Sequence, residues 1–207
     1  MSNVDQKVVL LGLHSVGKSC LVERYLVGRW KGGDVTATVG AAFGAKRVSA
    51  NGKEYTMGVW DTAGAERYDS MMRIYYRNAN AAIICYDLTD SESWQKVRYW
   101  VEELQRNEPA CALYIVGTKL DLVQSGEALR QLAVENVESY TANVGARSFE
   151  TSSKTGENVE LLFQAIARDF VVSGRPSAAA AGGTGASSAA SVRLDAGGQD
   201  PASGGCC

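Results

Sequence analysis

Short apolar runs alternate along this chain with stretches in which apolar residues recur every three or four positions. Val8-Val9-Leu10-Leu11, Ala81 to Tyr86 and Ala112 to Val116 are nearly continuous apolar runs. Strands that read this way are buried on both faces, as in a parallel sheet covered by helices. Between them lie helical periods. Val159, Leu162, Phe163, Ile166 and Phe170 share one stripe, and Trp94, Val97, Val101 and Leu104 share another. Thr89-Asp90-Ser91-Glu92 fits a capping box opening the second. The stretch from Ala41 to Trp60 contains Asn51-Gly52, a hairpin signal, so two strands pair antiparallel there. The sum predicts an α/β three-layer domain with one antiparallel edge strand.

The pattern stops after Val172. Of the 35 residues from Ser173 to Cys207, 8 are Gly, 9 Ala and 6 Ser, with no aromatic among them. Such a stretch buries too little apolar surface to offset its ordering entropy, which predicts a folded domain over 1–172 and a flexible tether over 173–207. Charge then narrows the partners. Lys+Arg 21 against Asp+Glu 23 leaves no excess for a broad basic face, so no nucleic-acid partner is expected. No apolar run reaches the ~18 residues of a membrane helix, and Met1-Ser2-Asn3 shows neither a signal peptide nor a myristoylation glycine. Five cysteines, an odd count and mostly far apart, argue against a disulfide framework and for the reducing cytosol.

Chemistry enters at Gly12-Leu13-His14-Ser15-Val16-Gly17-Lys18-Ser19, a GxxxxGKS sequence directly after an apolar strand and before a helical pattern. Backbone N–H groups of such a loop, here from Ser15, Val16, Gly17, Lys18, Ser19 and Cys20, point inward at phosphates, aided by the positive end of the next helix. Lys18 would neutralise β- and γ-phosphate charge, and Ser19 would coordinate Mg²⁺. Asp61-Thr62-Ala63-Gly64 follows the third strand, where the Asp can hold the Mg²⁺ shell and the Gly N–H can sense the γ-phosphate. Thr118-Lys119-Leu120-Asp121 and Ser152-Ser153-Lys154 each follow a later strand. A carboxylate at Asp121 can accept from the N1–H and exocyclic amine of guanine. Adenine offers neither in that arrangement and would leave the carboxylate unpaired. Each motif alone is ambiguous; their order, each after a strand, is not.

With these motifs the chain resembles the Rab family of Ras-superfamily small GTPases from about Lys7 to Val172. Further marks are Thr38-Val39-Gly40-Ala41-Ala42-Phe43, Trp60-Asp61-Thr62-Ala63-Gly64, Tyr75-Tyr76-Arg77-Asn78-Ala79 and Glu150-Thr151-Ser152-Ser153-Lys154. The resemblance implies a three-layer P-loop GTPase fold with a mostly parallel six-stranded sheet, GTP or GDP with Mg²⁺ as ligands, and GTP hydrolysis as the activity. It implies that Thr38 in switch I completes the Mg²⁺ and γ-phosphate contacts, and that Lys18, Thr38 and Gly64 carry the reaction. Phe43, Trp60 and Tyr75 would form an aromatic cluster that reads nucleotide state. The residue after Gly64 is usually Gln, which orients the attacking water. Here it is Ala65, so slow hydrolysis is expected, with a GTP-loaded, effector-recruiting module as the alternative. The chain is similar in this to an atypical Rab branch associated with autophagy and late endosomes. Thr118 replaces the usual Asn and has fewer hydrogen-bonding sites, which predicts faster exchange. At Ser153 the backbone N–H makes the family's base contact. His14, the chain's one histidine, is read as an outward bystander rather than a general base.

Partners follow from the same resemblance. Tyr68, Met71, Met72 and Tyr75 fall at i, i+3, i+4 and i+7. The stripe is either core-facing or, as favoured here, a switch II surface for effectors. Exchange factors, GAPs, prenyl-transfer proteins and GDI-type chaperones are expected partners. The terminal Cys206-Cys207 does not fit a CaaX box but resembles a double-prenylation site, and two lipid chains give a stable anchor where one does not. Localisation is thus expected in the cytosol and on the cytoplasmic face of intracellular membranes, late endosome or autophagosome among them.

Overall fold

The computed structural model describes residues 4–30, 32, 38–64 and 69–174, without the side chains of 69–72. Ala65, Tyr68, the side chains of Met71 and Met72, and Cys206 and Cys207 lie outside the described residues, as does 175–207.

The elements run β1 (Gln6–Gly12), α1 (Lys18–Val27), β2 (Ala41–Ala50), β3 (Lys53–Thr62), α2 (Asp69–Tyr76), β4 (Ala81–Asp87), α3 (Glu92–Asn107), β5 (Ala112–Thr118), α4 (Leu120–Gln124), α5 (Val134–Asn143), β6 (Arg147–Glu150) and α6 (Val159–Ser173). One six-stranded sheet has the order β2-β3-β1-β4-β5-β6. All its pairings are parallel except β2 with β3. Asn51 and Gly52 close that hairpin with φ of 49° and 75°, the two left-handed residues a type I′ turn requires.

The three apolar runs are the central strands, and successive side chains feed opposite faces. Val8, Leu10, Ile83, Cys85 and Val116 pack with Leu21 and Tyr25 of α1 and with Leu162, Phe163 and Ile166 of α6. Val9, Leu11, Ile84, Tyr86 and Ile115 pack with Trp94, Val97, Val101 and Leu104 of α3. Both faces are therefore dry, as the near-continuous apolar runs require, and each fully buried large aliphatic contributes roughly 1.5–3 kcal/mol. The Tyr25 and Phe163 rings stack at 3.6 Å, joining α1 to α6.

The capping box expected at Thr89 does not form. Asp87 Oδ1 takes both the Thr89 N–H (2.8 Å) and its hydroxyl (2.7 Å), while Asp90 Oδ1 accepts from Glu92 N–H at 2.9 Å. The buried carboxylate two residues upstream outcompetes the helix for the threonine. Parallel strands deliver all their carboxyl ends to one rim of the sheet, and ligands of open α/β sheets bind there.

Candidate nucleotide and metal site

That rim holds the loop between β1 and α1. Gly12 must be glycine, because a Cβ would stand 2.3 Å from the carbonyl oxygen of Cys85 on β4. Ser15 (φ 60°) and Gly17 (φ 93°) turn the chain back on itself, and Gly17 caps α1, whose first turn carries no side-chain cap and no acidic residue. An uncapped, uncrowded helix start of this kind leaves N–H groups and a positive dipole end for an anion.

Lys18 is buried beneath the loop, its Nζ donating to the carbonyls of Gly12 (3.1 Å) and Leu13 (2.7 Å). Burial pushes its pKa below the ordinary lysine value, against the pull of Cys85 and Asp61. Asp61, 4% exposed, is pushed up by burial, opposed by hydrogen bonding from Ser19, by Lys18 and by Thr38. Thr38 Oγ1 lies 3.0 Å from Ser19 Oγ and 3.4 Å from Asp61 Oδ2. The other carboxylate oxygen, Asp61 Oδ1, is buried with no hydrogen-bond partner. A lysine shifted toward neutrality and an orphaned carboxylate oxygen describe a site that fits an anion and a cation side by side. Ser19, Thr38 and Asp61 supply the hard oxygen set that suits Mg²⁺. At Gly64 a Cβ would meet His14 N at 2.5 Å and Lys18 Nζ at 2.6 Å, so β3's exit presses backbone against the phosphate loop. His14 is exposed, with Nδ1 3.4 Å from Ser15 Oγ.

The segments that follow β5 and β6 lie at the same rim. Thr118 Oγ1 is within reach of two carbonyls, Val16 at 2.5 Å and Tyr86 at 2.9 Å, which ties the end of β5 to the phosphate loop. Asp121 accepts from Ser152 Oγ at 2.5 Å, and Thr151 N–H bonds Gly117 O at 2.7 Å, so the two loops fold as a unit. Ser153 occupies the turn between Ser152 and Lys154. Of the expected aromatic cluster, Phe43 and Trp60 pack at 4.8 Å, and Tyr75 packs against the same core.

Three contributors escape motif reading. Asp87, 6% exposed, holds Lys119 in a 2.6 Å ion pair; a lone acid ending an apolar strand was its one signal. Trp30 brings a ring within 5.9 Å of Lys154 Nζ. Arg24 donates to Lys154 O across 130 residues, which no local pattern announces.

A glycine-bearing loop opening a helix, a buried lysine and a metal-ready carboxylate at the rim of a parallel sheet define a P-loop nucleotide-binding domain. The Ras family model matches residues 7–171. Ras-related protein Rab-24 of Dictyostelium discoideum is 54% identical over 169 residues, covering 82% of each chain. Ras-related protein Rab-21 of Mus musculus is 39% identical over 209 residues, 97% of this chain and 90% of that one. GTP-binding protein ypt5 of Schizosaccharomyces pombe is 42% identical over 168 residues, 80% of this chain and 77% of that one. The chain belongs to the Ras family, as a small GTPase of its Rab branch. Members of that family bind GTP and GDP, and its Rab branch regulates membrane trafficking.

Proposed function

We propose that this protein is a slow, guanine-specific switch that spends long periods loaded with GTP. The observation that carries the nucleotide reading is a buried Lys18 ammonium, held by the Gly12 and Leu13 carbonyls and near enough to Asp61 to act on its charge, together with a buried Asp61 oxygen that has no hydrogen-bond partner. When bound, the nucleotide supplies a β–γ phosphoanhydride, and Mg²⁺ screens its charge. Lys18 neutralises phosphate charge, the N–H groups of Ser15 to Cys20 cradle it, and Ser19, Thr38 and Asp61 hold the metal. Gly64 lets the chain approach the last phosphate. Asp121, oriented by Ser152, reads the guanine edge, with Thr118, Lys119, Ser153 and Lys154 completing the base pocket. Positioning and electrostatics do most of the work in this reaction class, and the methyl group of Ala65 positions no water.

The proposed setting is the cytoplasmic face of late-endosomal or autophagic membranes, reached through prenyl groups on Cys206 and Cys207 and shared with effectors, an exchange factor, a GAP and a GDI-type chaperone. Among the described residues no helix is long and apolar enough to cross a membrane, and two lipid chains together give a stable anchor where one does not.

Chromatography of nucleotide released from freshly purified, denatured protein tests the core of this reading. The expected eluate is guanine nucleotide with GTP as a major share, moving toward GDP in Ala65→Gln. Adenine nucleotide would sink the specificity claim. GDP alone, unchanged by Ala65→Gln, would sink slow hydrolysis.

A further inference from the structure

The guanidinium of Arg24 leaves the last turn of α1 and makes two contacts at once. Nη1 donates to Gly28 O at 2.9 Å and Nη2 to Lys154 O at 2.9 Å. Gly28 (φ 73°) ends α1, its own N–H returning to Arg24 O at 3.0 Å, so the residue closes the helix end with both its backbone and its side chain. On the other side, Lys154 sits in the turn that orients Asp121. Ser152 Oγ donates to Asp121 and accepts from Thr155 N–H at 3.1 Å, and Gly156 N–H bonds Ser152 O at 2.8 Å. Gly156 (φ 89°) leaves room for the guanidinium: a Cβ there would lie 3.0 Å from Arg24 Nε and 3.1 Å from Nη2. Trp30, two residues beyond Gly28, faces the Lys154 ammonium from that pinned segment.

We infer that Arg24 is a positioning residue for the base, clamping the start of the segment that leads to Thr38 onto the loop that orients Asp121. This rests on the guanine-nucleotide reading above and adds to it where base retention is set. A planar fork suits the task, because its donors reach two carbonyls in one rigid geometry while an ammonium is a point donor. The clamp lies at the far end of α1 from the phosphate loop, so it acts on the base and leaves the phosphate end alone. Without it, Lys154 and Gly28 move independently and the pocket opens sideways.

The test uses the full-length chain loaded with a fluorescent GDP analogue, with release followed in excess GDP, once in Mg²⁺ and once in EDTA. Arg24→Gln should speed release about five- to tenfold, the scale of two modest hydrogen bonds lost. The factor should be the same in both buffers, because EDTA loosens the phosphate end and the clamp governs the base end. Arg24→Lys, which keeps the charge and helix propensity but not the fork, should be nearly as fast. Unchanged release in both variants overturns the clamp. So does an acceleration that disappears in EDTA, which would place the lesion at the phosphate loop, and so does full restoration by lysine. Wild-type protein that fails to retain the analogue overturns the guanine reading and the clamp together; retention by the wild type with variants that match it overturns the clamp alone.

Discussion

Thr118 has one hydroxyl proton and two carbonyls competing for it, Val16 O and Tyr86 O. Whichever accepts, no hydroxyl proton is left over for a base, and the side chain's one donor is spent on the protein's own backbone. A carboxamide at this position carries two N–H donors and an acceptor on a longer stem, enough to keep Val16 and reach the ligand as well. Thr118→Asn should therefore slow GDP release by roughly three- to tenfold, about one added hydrogen bond, and stopped-flow release of a fluorescent analogue measures it directly. Release that stays the same would show that the threonine is not what limits retention. The same logic separates Asp121, in the first turn of α4, from Asp87, at the end of β4. Asp121 is held by a hydroxyl that leaves acceptor capacity free, whereas Asp87 has both oxygens engaged by Thr89 and Lys119.

At the scale of elements, the β2–β3 hairpin depends on its turn more than on its faces, since most of β2 is only half-buried. Gly52→Ala places a Cβ at φ 75°, where nothing crowds it but the backbone itself resists. The cost should be about 1 kcal/mol in urea unfolding, with unchanged nucleotide retention because the turn lies away from the site. That turn was legible from two letters. So were β1, β4 and β5, whose unbroken apolar runs follow from helices on both faces, and α6, whose stripe ends with Phe170 resting against Tyr55. The phosphate loop was legible because its glycines and lysine are dictated by local geometry. What the residue pattern hid is what depends on distance: Thr38 against Ser19, which only the family resemblance joined, Ser152 against Asp121, and Arg24 against Lys154. Each joins segments whose spacing in the chain carries no signal. Thr89 was misread because Asp87, two residues away, offered it a better acceptor than the helix did. The helix α4, five residues long, is too short for periodicity to reveal.

Taken whole, the molecule carries buried groups that tie its stability to alkaline pH. Burial pushes the Cys85 thiol from its usual 9.0 up to about 12, with Asp61 adding to the rise and Lys18 opposing it. A group held protonated in the fold and ionised in the unfolded chain stabilises below the unfolded value, and that stabilisation is lost as pH climbs from 9 toward 12. Lys7 runs the other way: burial lowers it to about 8, so the penalty for its charge is relieved above that pH. The difference between wild type and Cys85→Ala isolates the thiol. From pH 9.0 to 10.5 the wild type should lose roughly 1–2 kcal/mol more than the variant in urea unfolding, because the limiting slope of 1.36 kcal/mol per pH unit is reached only once the unfolded thiol is mostly ionised. Parallel losses in both proteins would show that other groups govern alkaline unfolding. None of the described cysteines Cys20, Cys85 and Cys111 is in a disulfide, so no such crosslink among them cushions this loss. The two rims of the sheet carry a different lesson. At one rim β6 spans only four residues, and at the other β2 shows solvent a strand that bears Lys46, tied to Tyr25 O and Glu160, and Arg47, tied to Glu54. Copies of this protein meeting rim to rim find a four-residue stub or a strand with a cation on each face, where a bare edge would invite another strand. A molecule guarded in this way can be crowded onto a surface and still remain a collection of individuals.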